Sequence, residues 1–291
     1  MNKPRTVDQP AELLPYLFAS WPEVKKKQVR TWLKYKAVVV NGRVVTQFNH
    51  PLKPGDVVGI RSDRFATPDT VIGDGLKVHF EDATLIVVDK PPDLLTIASE
   101  SEQEKTAYFQ LTDHLRGGDS RSQARVWIVH RLDRETSGVM VFAKTPEAKS
   151  TLQTGWDQAE KRYQAVVENL LPEDKGTFRS WLDEANPFKV FSVQRNPQTR
   201  HAVTHYRVLK RNRDRHRTLV ELTLETGRRH QIRVHLADAG CPVVGDTKYG
   251  AKTNPAKRLG LHAWSLRFLH PVTKQELYFE SALPPELAKL V

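Results

Sequence analysis

The stretch Val126-Trp127-Ile128-Val129-His130-Arg131-Leu132-Asp133-Arg134-Glu135-Thr136-Ser137-Gly138-Val139-Met140-Val141-Phe142-Ala143 decides how this chain reads. The β-branched and aromatic runs at 126–129 and 139–143 predict two strands, and the polar residues 130–138 predict their connector. Asp133 then sits on a turn held at both ends, with Arg131 and Arg134 beside it. A carboxylate kept close to an arginine is ionised at neutral pH and is competent as a nucleophile or general base. Taken alone, the same residue could merely cap the turn and pair with an arginine. The rest of the chain bears on that choice.

Around this stretch the pattern is of strands mixed with short helices. Strands are expected at Lys77 to Phe80, Leu85 to Asp89, Arg162 to Glu168, Val203 to Lys210, Leu219 to Thr226 and Leu266 to Leu269. Val220, Leu222 and Leu224 alternate with Glu221, Thr223 and Glu225, as in an antiparallel sheet with one wet face. Helices are expected from Pro146 to about Gln158, capped by Thr145, and from His230 to Ala239, stopped by Gly240. The fold class is therefore α+β around a mixed, mainly antiparallel sheet, extending over 76–291. Residues 64–75, polar and carrying Pro68, Gly73 and Gly75, read as a linker.

Residues 1–63 read as a separate small αβ module. In Val24 to Lys36, apolar Val29, Trp32 and Leu33 recur at helical spacing, while Lys25, Lys26, Lys27 and Arg30 occupy the other faces with no acid among them. Asn41-Gly42 between valine runs predicts a hairpin, and Lys53-Pro54-Gly55-Asp56 a turn before the strand Val57 to Ile60. Basic helix, hairpin and turn in this order resemble the S-four-type RNA-binding module, named after a small-subunit ribosomal protein. On that resemblance Lys25, Lys26, Lys27 and Arg30 are expected to grip RNA; read blandly, they are a solvated lysine face.

The chain has 291 residues, with Lys+Arg 45 against Asp+Glu 34 and a net charge of +11. That length can bury a full core, and that charge favours a polyanionic partner, nucleic acid before membrane. Cys241 is the sole cysteine, which excludes an intramolecular disulfide and the Cys-rich zinc patterns and suits a reducing, cytoplasmic setting. No run of about 18 apolar residues occurs, so neither secretion nor membrane spanning is expected.

Two further clusters carry chemistry. Thr226-Gly227-Arg228-Arg229-His230-Gln231-Ile232-Arg233-Val234-His235 lies at a strand-to-helix junction, where free N–H groups and three arginines could hold a phosphate. Ile232, Leu236 and Ala239 form the expected buried stripe, leaving Arg229 and Arg233 to point a guanidinium into a cleft. A metal reading fails on spacing: His230 and His235 do not share a face, and no Cys or Glu completes a set. Lys161-Arg162-Tyr163-Gln164-Ala165-Val166-Val167 puts one tyrosine among cations on a strand, either as packing or as a platform for an extruded base.

His-Arg-Leu-Asp-x-x-Thr-Ser-Gly at 130–138, Lys-x-Tyr-x-Ala-x-Val at 161–167 and Thr-Gly-Arg-x-His-Gln-Ile-Arg-x-His at 226–235, in this order, resemble the RluA family of RNA pseudouridine synthases. Asp89-Lys90-Pro91-Pro92, Gly245-Asp246-x-x-Tyr249-Gly250, Leu261-His262-Ala263 and His270-Pro271 extend the likeness over about 76–287, with Asp93 departing from the family's usual glycine. The resemblance implies an isomerase that needs no cofactor, acting on structured RNA, ribosomal RNA first and transfer RNA as the alternative. By motif match Asp133 is the catalytic carboxylate, Tyr163 packs on the uracil, and Arg233 holds Asp133 ionised through an expected bidentate contact. Arg131, His130, Thr136, Arg228, His230 and Leu261 are expected at the substrate. A monomer is expected. Two other classes stay open: a non-catalytic RNA-binding or assembly protein, and a glycosylase pairing Asp133 with Glu135.

Overall fold

A computed structural model describes residues 4–34, 38–60, 70–99, 102–117 and 121–291. The chain forms two compact units, one of Met1–Thr70 with Val78–Val87 and one of Val71–Lys77 with Val88–Val291. The expected boundaries at 63 and 76 differ from this division by the hairpin Leu76–Glu81 and Leu85–Lys90, most of which groups with the first unit. Residues 61–69 of the linker region lie outside the described residues. At its far end the chain is not a linker: Val71 and Ile72 pair with Lys77 and Leu76.

In the first unit the helix Lys26–Lys34 buries Val29, Trp32 and Leu33, the apolar stripe expected from their spacing. Trp32 meets Trp21 edge-on at 5.9 Å. Trp21 follows the helix Leu13–Ser20, which carries no capping side chain and has a proline in its first turn, so it gave no start signal in the sequence. The strands order as Arg5–Thr6, Val57–Ile60, Val38–Val40 and Arg43–Val44, all antiparallel. Asn41 and Gly42 turn the hairpin with φ of 50° and 78°, the left-handed pair that the Asn-Gly dipeptide favours. Lys25, Lys26 and Arg30 are exposed, and Lys26 and Arg30 lie over the Phe18 ring at 5.6 and 5.4 Å. The side chain of Lys27 lies outside the described residues.

The second unit is built on a long sheet. Its strands run Phe191–Val193, Lys175–Asp183, Arg200–Asn212, Arg217–Leu224, Glu160–Glu168, Leu261–Leu269 and Ser137–Ala143, antiparallel except for the last pair. The short strand Trp127–Ile128 pairs with Ser137–Ala143, so the two runs flanking the opening motif do form neighbouring strands. All seven residues of Ser137–Ala143 are buried, which fits the apolar run from Val139 to Ala143. Gly138, at φ 117°, sits against Ala263 so closely that a Cβ would collide with the Ala263 main chain. This contact joins the connector that carries Asp133 to the parallel strand.

The helix Pro146–Thr154 is capped by Thr145, whose hydroxyl accepts the Ala148 N–H at 3.1 Å. The helix Gln231–Asp238 is enclosed from Gln231 through Leu236, rather than along one stripe, and Ala239 is exposed. The alternation read at 220–225 also needs correcting. Val220, Leu222 and Leu224 are buried as expected, but Glu221 is buried too, held under Arg207 at 3.1 Å. The strands Lys175–Asp183 and Glu276–Glu280 and the helix Ala107–Arg116 were not expected from sequence. Lys175–Asp183 has a single fully buried residue, Leu182, and so shows almost no period-two signal.

Candidate active site

The connector carrying Asp133 is fixed by its main chain. Thr96 Oγ1 donates to the Leu132 carbonyl at 2.8 Å and receives the Leu132 N–H at 3.3 Å. Lys90 is 1% exposed, and its Nζ donates to the carbonyls of Pro91, Leu94 and Arg134 at 2.9, 2.7 and 2.9 Å. Burial lowers the pKa of Lys90 to about 7, against the pull of Asp133, Asp93 and Glu135. Arg134 Nε donates to the Asp93 carbonyl at 3.2 Å. Asp93 has φ 62°, so the position holds a left-handed residue, a conformation that glycine adopts freely and aspartate tolerates. The connector is closed by Thr136 N–H donating to the Asp133 carbonyl at 3.1 Å.

The Asp133 carboxylate, 24% exposed, opens onto a cavity lined by Arg131, Thr136, Tyr163, Arg228, His230, Arg233 and Leu261, with Leu132, Leu224, Gly227, Gln231 and Ile232 completing the wall. Tyr163 reaches it because the pairing of Glu160–Glu168 with Leu261–Leu269 shifts register between Arg162 and Tyr163. Such a bulge re-aims a side chain. Burial, and then the charge of Asp133, push the Tyr163 phenol up, so it stays protonated.

Arg233 does not make the expected bidentate contact with Asp133. Its Nε and Nη2 donate to the two carboxylate oxygens of Asp246, each at 2.7 Å. Only Nη1 turns toward the connector, 3.6 Å from Asp133 Oδ2 and 3.6 Å from Glu135 Oε2, and it has no hydrogen-bond partner. Burial works against the charge of Arg233, but Asp246, Asp133 and Glu135 outweigh it and hold the guanidinium protonated. Asp133 lies above the usual carboxylate range because of its burial and the nearby Glu135 charge, with Arg233 opposing both.

The main-chain N–H groups that open the third motif are taken by protein rather than free for phosphate. Arg228 N–H donates to Gln231 Oε1 at 3.0 Å and Arg229 N–H to Glu184 Oε1 at 2.7 Å. The Arg229 guanidinium holds the carbonyls of Glu184, Asn186 and Pro187, and therefore faces away from the cavity. His230 is held in the left-handed region at φ 54°, with Nδ1 2.7 Å from the Tyr249 hydroxyl and Nε2 3.9 Å from Asp133 Oδ2. Tyr249 also receives the Val190 N–H at 2.9 Å, so its hydroxyl is fixed between that main chain and the imidazole. Burial and the charges of Arg233, Lys248 and Arg229 lower His230 to about 4, keeping it neutral. His235 is not a ligand candidate: both ring nitrogens are engaged, by Thr204 and Ser180.

Of the residues expected at the substrate, the structure gathers Arg131, Asp133, Thr136, Tyr163, Arg228, His230, Arg233 and Leu261 around one cavity. His130 is a correction. It stacks on Trp156 at 4.5 Å, accepts the Val141 N–H on Nε2 at 3.1 Å, and is lowered to about 3 by burial, so it braces the connector and does not line the cavity. Lys25, Lys26 and Arg30 belong to the other unit. Asp246, Lys90, Thr96 and Tyr249 were given no role from sequence. The runs containing Lys90, Asp246 and Tyr249 stood out there, and their residue types, a lysine, an acid and a tyrosine between glycines or prolines, were the available signal.

A family model described as RNA pseudouridylate synthase matches residues 84–238. The chain is 34% identical to "Uncharacterized RNA pseudouridine synthase YlyB" of Bacillus subtilis, over 95% of this chain and 91% of that one. It is 31% identical to "Ribosomal large subunit pseudouridine synthase D" of Vibrio cholerae, over 92% and 86% respectively. Among solved structures it resembles human RNA pseudouridylate synthase domain containing 4, with 26% identity, a TM-score of 0.59, and coverage of 72% of this chain and 89% of that one. Likeness of this extent, in sequence and in fold, means that the chain belongs to the RNA pseudouridylate synthase family and is an isomerase acting on RNA.

Proposed function

We propose that this enzyme isomerises a uridine of large-subunit ribosomal RNA, with Asp133 as the catalytic carboxylate. The observation that carries the reading is an Asp133 carboxylate at the mouth of a cavity walled by Tyr163 and Leu261, beside a guanidinium that carries charge without covering it. Relatives named ribosomal large subunit pseudouridine synthase D, from Vibrio cholerae and Escherichia coli, align over 92% and 93% of the chain and favour ribosomal RNA as the substrate.

A uridine must leave its stack to enter such a cavity. Arg131, exposed at the rim, is suited to fill the gap left behind, and Arg228 to meet backbone phosphate. Tyr163 presents a neutral ring to the uracil. Asp133 promotes cleavage of the bond between N1 and the ribose; the base then rotates, and the ribose carbon joins C5. The C5 hydrogen leaves as a proton and N1 gains one, so no redox partner is required. The N-terminal unit, as an S-four-type module, adds sequence-independent grip through Lys25, Lys26 and Arg30.

RNA carrying tritium at uracil C5 tests the substrate, since C5 loses its hydrogen only when the base is rejoined there. Large-subunit ribosomal RNA should release one equivalent per modified site, and mapping should place it at a discrete uridine. Release from transfer RNA alone would move the assignment to that substrate.

A further inference from the structure

The fork of Arg233 is committed to Asp246, not to the residue it is expected to serve. Both partners are nearly sealed from solvent, at 3% and 1% side-chain exposure, and the two hydrogen bonds are short at 2.7 Å each. Asp246 is itself fixed. Its N–H donates to the Val243 carbonyl at 2.9 Å, and its carbonyl accepts from Ala251 and Tyr249 at 3.0 and 3.1 Å. The Tyr249 ring lies 5.2 Å from the guanidinium carbon and walls it on another side.

A guanidinium with a free fork closes on a neighbouring carboxylate through two parallel hydrogen bonds. Asp133 and Glu135 are both near enough to be captured in that way. A carboxylate so clamped has its lone pairs engaged and is poorly placed to attack or to take a proton. Nη1 instead remains buried, unbonded and equidistant from the two.

We propose that Asp246 is a positioning residue: by occupying the Nε and Nη2 edge of Arg233, it keeps the guanidinium from clamping Asp133, leaving that carboxylate's lone pairs free to react. The proposal rests on the assignment of Asp133 as the catalytic group. The charged and titratable groups facing Asp133 are Arg131 and Glu135 on its own connector, Lys90 against that connector, Tyr163 from the strand Glu160–Glu168, and His230 and Arg233 from the third motif.

The test measures single-turnover tritium release against pH, with RNA affinity, in the full-length wild type, Asp246→Asn, Asp246→Glu and Asp133→Asn. Asp246→Asn frees the fork. It is expected to slow release at least about 100-fold, keep RNA affinity within threefold, and move the acid limb of the profile to lower pH as Arg233 closes on Asp133. Asp246→Glu keeps the carboxylate and should recover at least tenfold of that loss. A folded Asp246→Asn enzyme within threefold of wild type, or one slowed with an unmoved limb, overturns the proposal. Should Asp246→Asn fail to fold, Asp246→Ser, which also removes the carboxylate from the fork, decides on the same readouts: slowed release with a limb moved to lower pH supports the proposal, and a wild-type rate or an unmoved limb overturns it. If Asp133→Asn retains activity, the assignment of Asp133 fails instead, and the two failures are thereby told apart.

Discussion

The molecule carries positive charge in two different ways. On the helix Lys26–Lys34 and just before it, Lys25, Lys26 and Arg30 stand in solvent, with Phe18 as the nearest organised neighbour of two of them. In the second unit Arg233 is buried among Asp246, Asp133 and Glu135, two of its nitrogens committed and the third aimed. Exposed cations act as a field, screened by salt and indifferent to which cation supplies it. A buried guanidinium acts through geometry, so its shape matters as much as its charge.

Swapping one cation for another breaks that comparison most sharply. Arg233→Lys keeps the charge but cannot hold Asp246 with a fork while presenting a third nitrogen. It should slow tritium release roughly 100-fold or more, ~2.7 kcal/mol of barrier. Arg30→Lys, the same exchange in the open, should change neither rate nor affinity by more than about twofold. Equal effects from the two swaps would erase the distinction.

Removing the exposed charges should show the opposite profile. Lys25→Ala, Lys26→Ala and Arg30→Ala together are expected to weaken RNA binding about tenfold and reduce the salt slope of log affinity by ~2 to 3, leaving the rate at saturating RNA unchanged. An unaltered salt slope in filter binding would make this face mere solvated surface. A smaller effect belongs to Glu135. Burial raises Asp133, the charge of Glu135 raises it further, and Arg233 opposes both. Activity that needs the ionised carboxylate is lost as pH falls through that raised value, so Glu135→Gln should shift the acid limb to lower pH. A limb that stays put would remove Glu135 from the site's electrostatics.

The smallest effect concerns stability. A carboxylate whose folded pKa is raised binds its proton more tightly in the folded state, so its ionisation costs stability once pH exceeds that value. Asp133→Asn should therefore melt higher than wild type at pH 7, and the advantage should vanish as pH drops toward the unfolded carboxylate value. A lower melting temperature at pH 7 would mean that Asp133 supports the fold rather than burdening it.

Much of this arrangement was legible from local pattern. The strands around Asp133, the Asn41-Gly42 hairpin and the stripe Val29, Trp32, Leu33 each express a period or a turn chemistry within a few residues. The motifs placed Asp133, Tyr163 and Arg233 in one cavity, because the sheet brings together the connector, the bulge of the strand Glu160–Glu168 and the first turn of the helix Gln231–Asp238. Less legible was how side chains share partners. Arg233 has three carboxylates within reach, and nothing in the spacing says that Asp246, on a loop beyond the helix, takes the fork. His130 sits in the same motif as Asp133 yet faces Trp156, since neighbouring connector residues point in different directions. Glu221 looked outward by alternation and is covered by Arg207 from the next strand, a cross-strand contact that one strand's sequence does not encode.

The most direct test of the account is tritium release by Asp133→Asn measured beside its RNA affinity, on the same labelled ribosomal RNA. The account predicts that release falls below detection while affinity stays within a few fold of wild type, because the carboxylate does chemistry and the cations do the holding. Release that persists, or that disappears only in step with binding, would contradict it.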